Sequence, residues 1–329
     1  MNVNRRQRAS DFWANRYRER LLERLILVGM RQAVESFLLN CQVEELSLKT
    51  VSFYRGILDI FLGYCEETGL PPVLSQISPD EIRRFLVYVK ERKGQRPGVK
   101  VSAWTTRAYY AALSAFFNWA QGEGFVQDSP MANIKPPKTP KMIIPIYSQE
   151  DVKLLLGACP QSVLGIRNRA MIIMDLDTGL RLSELVGILL EDVSIPGGLV
   201  KVRGKGAKER IVHFGKLTKQ ALLKYLVVRP KQECPQLWLT EEGKPLTARG
   251  FQIAFRRLTQ KVGLKGRCTV HMLRHTAATV YLKTGDPLTL QYLLGHSSLA
   301  MVQHYTESGR AEQAVRQHEK SSPVERFLG

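Results

Sequence analysis

The chain has 329 residues, a length for about two domains, and 44% of them are hydrophobic, enough for two packed cores. Lysine and arginine number 48 against 30 aspartates and glutamates, a formal charge of +18. Such a surplus neutralises phosphates and releases counterions, so nucleic acid leads the partners that charge admits, while the most apolar windows, such as residues 21–28 and 170–176, fall far short of the roughly 20 residues a spanning helix needs.

The N-terminal Met-Asn-Val-Asn-Arg-Arg-Gln-Arg is basic, but no apolar stretch or small-residue cleavage site follows it, so a cytoplasmic protein without membrane role is expected. Cys41, Cys65, Cys159, Cys234 and Cys268 are scattered without a C-x-x-C pair, the pattern of reduced thiols rather than of disulfides or a zinc site. Residues 11–40 predict one or two helices, with Phe12, Leu21, Leu22, Leu25 and Ile26 on an apolar side among arginines. After Ser47 a helix is predicted on Val51, Tyr54, Leu58, Phe61, Leu62 and Cys65, which recur at three- and four-residue steps until Gly69 and the pair Pro71-Pro72. Ser78-Pro79-Asp80-Glu81 then combines a capping serine, a proline at the first helical position and a glutamate three residues after the cap. A basic, Gly-containing loop over 93–100 leads to a helix over about 105–121, with a stripe of Tyr109, Ala112, Leu113, Phe116 and Phe117. Three prolines and three lysines in 134–141 predict an extended basic linker.

Beyond it, Ser148-Gln-Glu-Asp151 predicts a helix start, and further helices are expected over 167–176 and 183–190. Residues 199–203 and 210–214 are β-branched runs joined by Gly204-Lys-Gly-Ala-Lys-Glu209, a hairpin signal. From Thr247 the pattern is helical again. The expected organisation is a basic leader over 1–40, an all-helical domain over 41–133, the linker over 134–146 and a second domain over 147–329, mainly α with a small antiparallel β-sheet.

Four patterns carry chemistry: Gly179-Leu-Arg181-Leu-Ser-Glu184-Leu, the hairpin turn with Lys205, His271-Met-Leu-Arg274-His275, and Leu294-Gly-His296 followed by Tyr305. A phosphodiester repels nucleophiles and has a poor leaving group. Arg181 and Arg274 suit the non-bridging oxygens, because planar guanidinium forks stay charged at any workable pH and stabilise a pentacoordinate transition state without a metal or nucleotide cofactor. Tyr305 suits the nucleophile, since cationic neighbours favour phenolate character. His271 lies one helical turn before Arg274 on the same face.

In this order and spacing the motifs resemble the tyrosine recombinase (phage integrase, Xer-type) family, closely over about residues 147–310. The resemblance implies an N-terminal all-α, SAM-like core-binding domain that clamps DNA and a site-specific recombinase that cuts and rejoins DNA through a 3′-phosphotyrosyl bond, for integration, excision or resolution of DNA elements. It makes Lys205 the proton donor to the leaving 5′ oxygen, His271 an acceptor of the Tyr305 proton or an orienting partner of the phosphate, His296 a further hydrogen bond to the phosphate, and Glu184 a support for Arg181. It also implies an inverted-repeat core site, a ring of four protomers that exchange C-terminal tails, with a helix over 311–318, nucleoid association, and room for an accessory or directionality protein. Two departures from the family pattern, Asp177 and Met272, replace no group that touches the phosphate. Arg249, Gln252 and Arg256 are expected to face outward from one helix toward base edges, and Arg107 and Lys138 toward the phosphate backbone. Two rivals are a DNA-binding regulator on the same scaffold and a monomeric type IB topoisomerase. A basic helical face, a hairpin lysine and a packed tyrosine are the bland alternatives for the residues taken one by one.

Overall fold

The computed structural model describes residues 29–71, 73–92, 100–140, 145–204, 209–266 and 268–295. The helices expected over 11–28 and 311–318, the loop 93–99, Lys205, His296 and Tyr305 lie outside the described residues. Two compact units divide the chain, Met1–Lys141 and Met142–Gly329.

In the first unit, α1 (Met30–Val43) buries Met30, Ala33, Val34, Phe37, Leu38 and Cys41, one stripe at helical spacing. Residues 30–40, expected in the leader, therefore belong to this unit, packing one face into its core. Helix α2 (Leu48–Glu67) starts where the Ser47 side chain accepts the Thr50 N–H at 3.2 Å. Helix α3 (Pro79–Glu91) has the full capping box: Ser78 Oγ accepts from the Glu81 N–H while Glu81 takes the Ser78 N–H. Helix α4 (Ala103–Gly122) begins two residues earlier than its apolar stripe indicates, because Ser102 caps it and the first turn exposes Trp104. Phe37, Phe61, Phe85, Phe116 and Phe117 fill the centre with edge-on ring pairs, Phe61 and Phe85 at 4.9 Å and Phe116 and Phe117 at 5.1 Å between centroids. The start of the proline-rich segment is tied to α4: Tyr110 Oη donates to Ile134 O at 2.8 Å and Arg107 Nη1 to Pro137 O at 3.2 Å.

The second unit opens on α5 (Gln149–Gly157), whose Ser148 and Asp151 cap each other's backbone N–H groups. Helix α6 (Val163–Thr178) runs through the core, with Ala170, Met171, Ile172 and Met174 fully enclosed, and ends on Gly179 in the left-handed region at φ +61°. Helix α7 (Leu182–Val186) stops short of the span expected to residue 190, because Leu189 leaves it to bridge Gln236 in extended pairing. The three-stranded antiparallel sheet has the order β1 (Val193–Ser194), β2 (Leu199–Arg203), β3 (Glu209–His213), with Val202 opposite Arg210 and Arg203 opposite Glu209. The two-residue β1 is too short to show periodicity and was not legible beforehand. Val200, Val202 and Val212 turn inward. Helices α8 (Lys216–Val228), α9 (Ala248–Lys261), α10 (Val270–Tyr281) and α11 (Pro287–Leu294) complete the unit, packing α8 and α10 against α6. Helix α11 is capped by Asp286, which accepts the Thr289 N–H at 2.7 Å, and ends on Gly295, again left-handed at φ +61°.

Candidate active site

Two helix C-termini meet beneath a group of arginines. A helix end leaves carbonyls without intrahelical partners and carries partial negative charge, so cations settle there. Gly179 and Gly295 let α6 and α11 stop in the left-handed conformation, and a Cβ on Gly179 would lie 2.7 Å from Leu294 Cδ2, so a larger residue there would have to displace the Leu294 side chain. Arg274, from α10, bridges them: Nη1 donates to Gly179 O at 2.6 Å and Nη2 to Leu294 O at 2.9 Å, with the side chain almost fully buried. Arg181, just past the Gly179 turn, donates from Nη2 to Gly295 O at 2.7 Å and from Nη1 to Glu184 Oε1 at 2.9 Å. Its side chain remains 36% exposed, leaving part of the fork open to solvent.

Glu184 lies under Arg181 with a side chain only 2% exposed. Its Oε2 takes the Arg181 backbone N–H at 2.8 Å, closing the first turn of α7. Burial alone pushes its carboxyl up, but hydrogen bonds from Arg210 and Arg181 outweigh that and hold it at about 2. Arg210, on β3, is the arginine that the motif reading passed over. It grips Glu184 with both Nη atoms at 2.9 Å and gives Nε to Leu293 O at 2.9 Å. Its place in Gly204 to Arg210 was visible; its partners, from α7 and α11, were not.

His271 shares a face of α10 with Arg274, and its ring meets that of His275 edge-on at 4.4 Å. Desolvation against the protein, then the charges of Arg274 and Arg181, hold its pKa below the ordinary 6.5. A neutral imidazole at pH 7 can accept a proton. Asp175, inside α6, is a second group that motif spacing missed. Burial, partly opposed by Arg274 and reinforced by Glu184, pushes its carboxyl well above the usual range. Its Oδ1 has no hydrogen-bond partner among the described residues, which fits a neutral acid. An acidic side chain in the apolar run 170–176 was the available signal.

Arg181, Glu184, His271 and Arg274 thus come together, whereas Lys205, His296 and Tyr305 lie outside the described residues. The last described residue of β2 before the turn is Arg203, paired through Nε with Glu209 at 3.0 Å and near Asp192. Asp177 is the N-terminal anchor of α8, taking the Gly215 N–H at 2.7 Å and the Thr218 hydroxyl at 2.6 Å, and Met272 packs in the core. On α9, Arg249, Gln252 and Arg256 are exposed opposite the buried Phe251, Phe255 and Leu258. Arg107 and Lys138 are exposed in the first unit, Arg107 spending one N–H on the Pro137 carbonyl. Among the described residues no cluster of His, Cys, Asp or Glu is arranged to hold a metal ion, and no helix is long and apolar enough to cross a membrane.

The profile described as "Phage integrase family" matches residues 146–312, and that of "Phage integrase, N-terminal SAM-like domain" matches residues 34–124. The chain belongs to the phage integrase family, the tyrosine recombinases. Among its relatives is the tyrosine recombinase XerD of Listeria monocytogenes, 32% identical over 286 residues that cover 84% of this chain and 94% of that one. Among solved structures, the XerH site-specific recombinase bound to palindromic difH substrate in a post-cleavage complex aligns at a TM-score of 0.69 and 22% identity, covering 90% of this chain and 85% of that one. A lambda integrase tetramer bound to a Holliday junction aligns at 0.65 and 20% identity, covering 82% and 78%. At these identities the two structures establish the shared fold.

Proposed function

We propose that this recombinase cuts and rejoins double-stranded DNA at a specific site, with the scissile phosphate lying over Arg181, Arg274 and His271. The single observation that carries the reading is the convergence of the two guanidiniums, from sequence segments 93 positions apart, on adjacent carbonyls of one helix end, beside a histidine whose neutral form is favoured. Three guanidiniums around one carboxylate that they hold ionised leave the cluster with surplus positive charge. A diester phosphate attacked by a phenolate becomes doubly negative, so the charge complements the transition state more than the ground state.

In the step itself the Tyr305 oxygen attacks phosphorus, the bond to the 5′ oxygen breaks, and the phosphate stays on the tyrosine as a 3′-phosphotyrosyl ester. His271 takes the phenol proton, Lys205 gives one to the departing 5′ oxygen, and His296 donates a hydrogen bond to the phosphate. Glu184 supports Arg181. Strand exchange follows when a 5′ hydroxyl from another duplex attacks the ester, and the first-domain helices clamp the DNA. The exposed Arg249, Gln252 and Arg256 of α9 fit base edges, and Arg107 and Lys138 fit backbone phosphates. Four protomers exchanging tails on an inverted-repeat site, in the cytoplasm at the nucleoid, complete the proposal, with an accessory protein as a further partner. The kinship to proteins named recombinases favours this reading over a non-cleaving regulator and over a monomeric topoisomerase. The test is a nicked suicide substrate, from which one nucleotide stretch diffuses away after cutting. A covalent protein–DNA adduct is expected, absent in Tyr305→Phe; a wild-type chain that binds its site yet never forms the adduct refutes catalysis.

A further inference from the structure

The C-terminal turn of α11 does more than end a helix. Its last three carbonyls accept from three different arginines in succession: Leu293 O from Arg210 Nε at 2.9 Å, Leu294 O from Arg274 Nη2 at 2.9 Å and Gly295 O from Arg181 Nη2 at 2.7 Å. Glu184 ties the first and third of these together from the opposite side, with Oε1 shared by Arg181 Nη1 and Arg210 Nη1 and Oε2 shared by the Arg181 backbone N–H and Arg210 Nη2. We propose that Arg210 is a positioning residue for the reaction: by holding Glu184 and the end of α11 in one rigid frame, it aims the open fork of Arg181 at the scissile phosphate. This rests on the cleavage reaction proposed above.

Three observations separate this role from direct contact with DNA and from simple packing. Every nitrogen of Arg210 is already bonded to protein, and its side chain is 8% exposed against 36% for Arg181, so the guanidinium that meets solvent is Arg181 alone of the two. Glu184 is too buried to keep its charge without a strong partner, and the bidentate grip of Arg210 is the strongest lowering influence on its carboxyl. If Arg210 let go, Glu184 would have to swing wholly onto Arg181 or take up a proton, and either change turns Arg181 off its axis. Gly295 adds a steric clause: a Cβ there would sit 3.0 Å from Arg210 Nη1 and 3.4 Å from Arg181 Nη1, so the two guanidiniums pack over the glycine with no room to spare. A lysine at 210 keeps the charge but loses the planar two-pronged geometry that matches a carboxylate.

The experiment is a double-mutant cycle with Arg210→Lys and Arg181→Lys, reading single-turnover adduct formation at saturating suicide DNA together with DNA affinity. Arg210→Lys is expected to slow adduct formation by about 10- to 100-fold with affinity within about twofold, and to cost little more once Arg181 is already lysine, because the two act as one unit. Additive losses, or a slow rate explained by weaker DNA binding, overturn the proposal. A second reading needs neither DNA nor turnover: the Nη–H signals of Arg181 in nitrogen-15 spectra, identified by their loss in Arg181→Lys, are expected to be sharp in the native chain and to broaden or vanish in Arg210→Lys. Unchanged signals overturn it. If the native chain forms no adduct, the cleavage reading falls while the spectra still decide whether Arg210 orders Arg181. Should Arg210→Lys fail to fold, Glu184→Asp, which shortens the same link by one methylene, takes its place with the same expectations.

Discussion

Gly295, His271 and Asp175 show how single residues set the chemistry. An alanine at 295 would have to adopt φ +61°, a strain of roughly 1–2 kcal/mol for a residue with a Cβ, and its methyl would press on two guanidiniums. Gly295→Ala is therefore expected to melt a few degrees lower and to form adduct up to about 100-fold more slowly, since small misplacements are felt steeply at a reacting centre; calorimetry and the suicide substrate check both. For His271 the folded pKa lies below the free value of 6.5, so the unfolded chain binds the extra proton first. Stability attributable to it is present above pH 6.5 and is lost as pH falls from there toward the folded value, and the acid limb of adduct formation should likewise sit below pH 6.5. An acid limb at or above 6.5 would contradict a neutral base. Asp175 has the opposite sign: its folded carboxyl holds its proton more tightly than the unfolded one, so its contribution is complete below about 3.8 and is lost as pH rises toward the folded value. Asp175→Asn removes that loss, and its advantage in melting temperature over the native chain is expected to widen as pH rises from 4 and then level off. Both acid and histidine are plain in the sequence, but the direction of each shift is set by burial first and then by the charges that fold around it.

At the scale of elements, helix starts were the most legible features because capping is local. Ser47, Ser78 and Ser148 each accept the N–H three residues on, and the Ser78 box with Pro79 needs nothing from the rest of the chain. Ser78→Ala is expected to cost about 1 kcal/mol, seen as a lower denaturation midpoint with an unchanged slope. The hairpin was equally plain from its alternating runs. Helix α1 was harder, because its apolar stripe continues a basic segment and only packing against α2 and α4 shows that residues 30–40 belong to the core. Helix α7 was over-extended because Ile188, Leu189 and Leu190 continue an apolar pattern whose hydrogen bonds go instead to the segment around Pro235 and Gln236. Asp177 belongs here too. It looked like a departure from a motif, and it is the anchor that starts α8; Asp177→Ala is expected to lower the melting temperature by a few degrees, measured by circular dichroism.

For the whole molecule, the charge of +18 predicts DNA affinity that falls steeply and linearly with the logarithm of salt concentration, and replacing the exposed Lys138, proposed above to meet a backbone phosphate, should reduce that slope by about one. An affinity unaffected by salt would remove the electrostatic basis of the reading. Composition also foretold two cores, and each unit has a main one, built on phenylalanines in the first and on Trp238, Phe251 and Phe255 in the second, where Ala278, Leu290 and Leu294 form a smaller cluster beside it. Local chemistry along the chain determined the charge, the caps and the hairpin, because each follows from neighbours a few positions away, and the motifs with their family resemblance singled out Arg181, Glu184, His271 and Arg274. Only the tertiary structure decided that Arg210 belongs with them and that Asp175 sits beneath them. Those contacts join residues 83 to 114 positions apart at the ends of two helices, and no short-range pattern encodes which carbonyl a distant guanidinium will find.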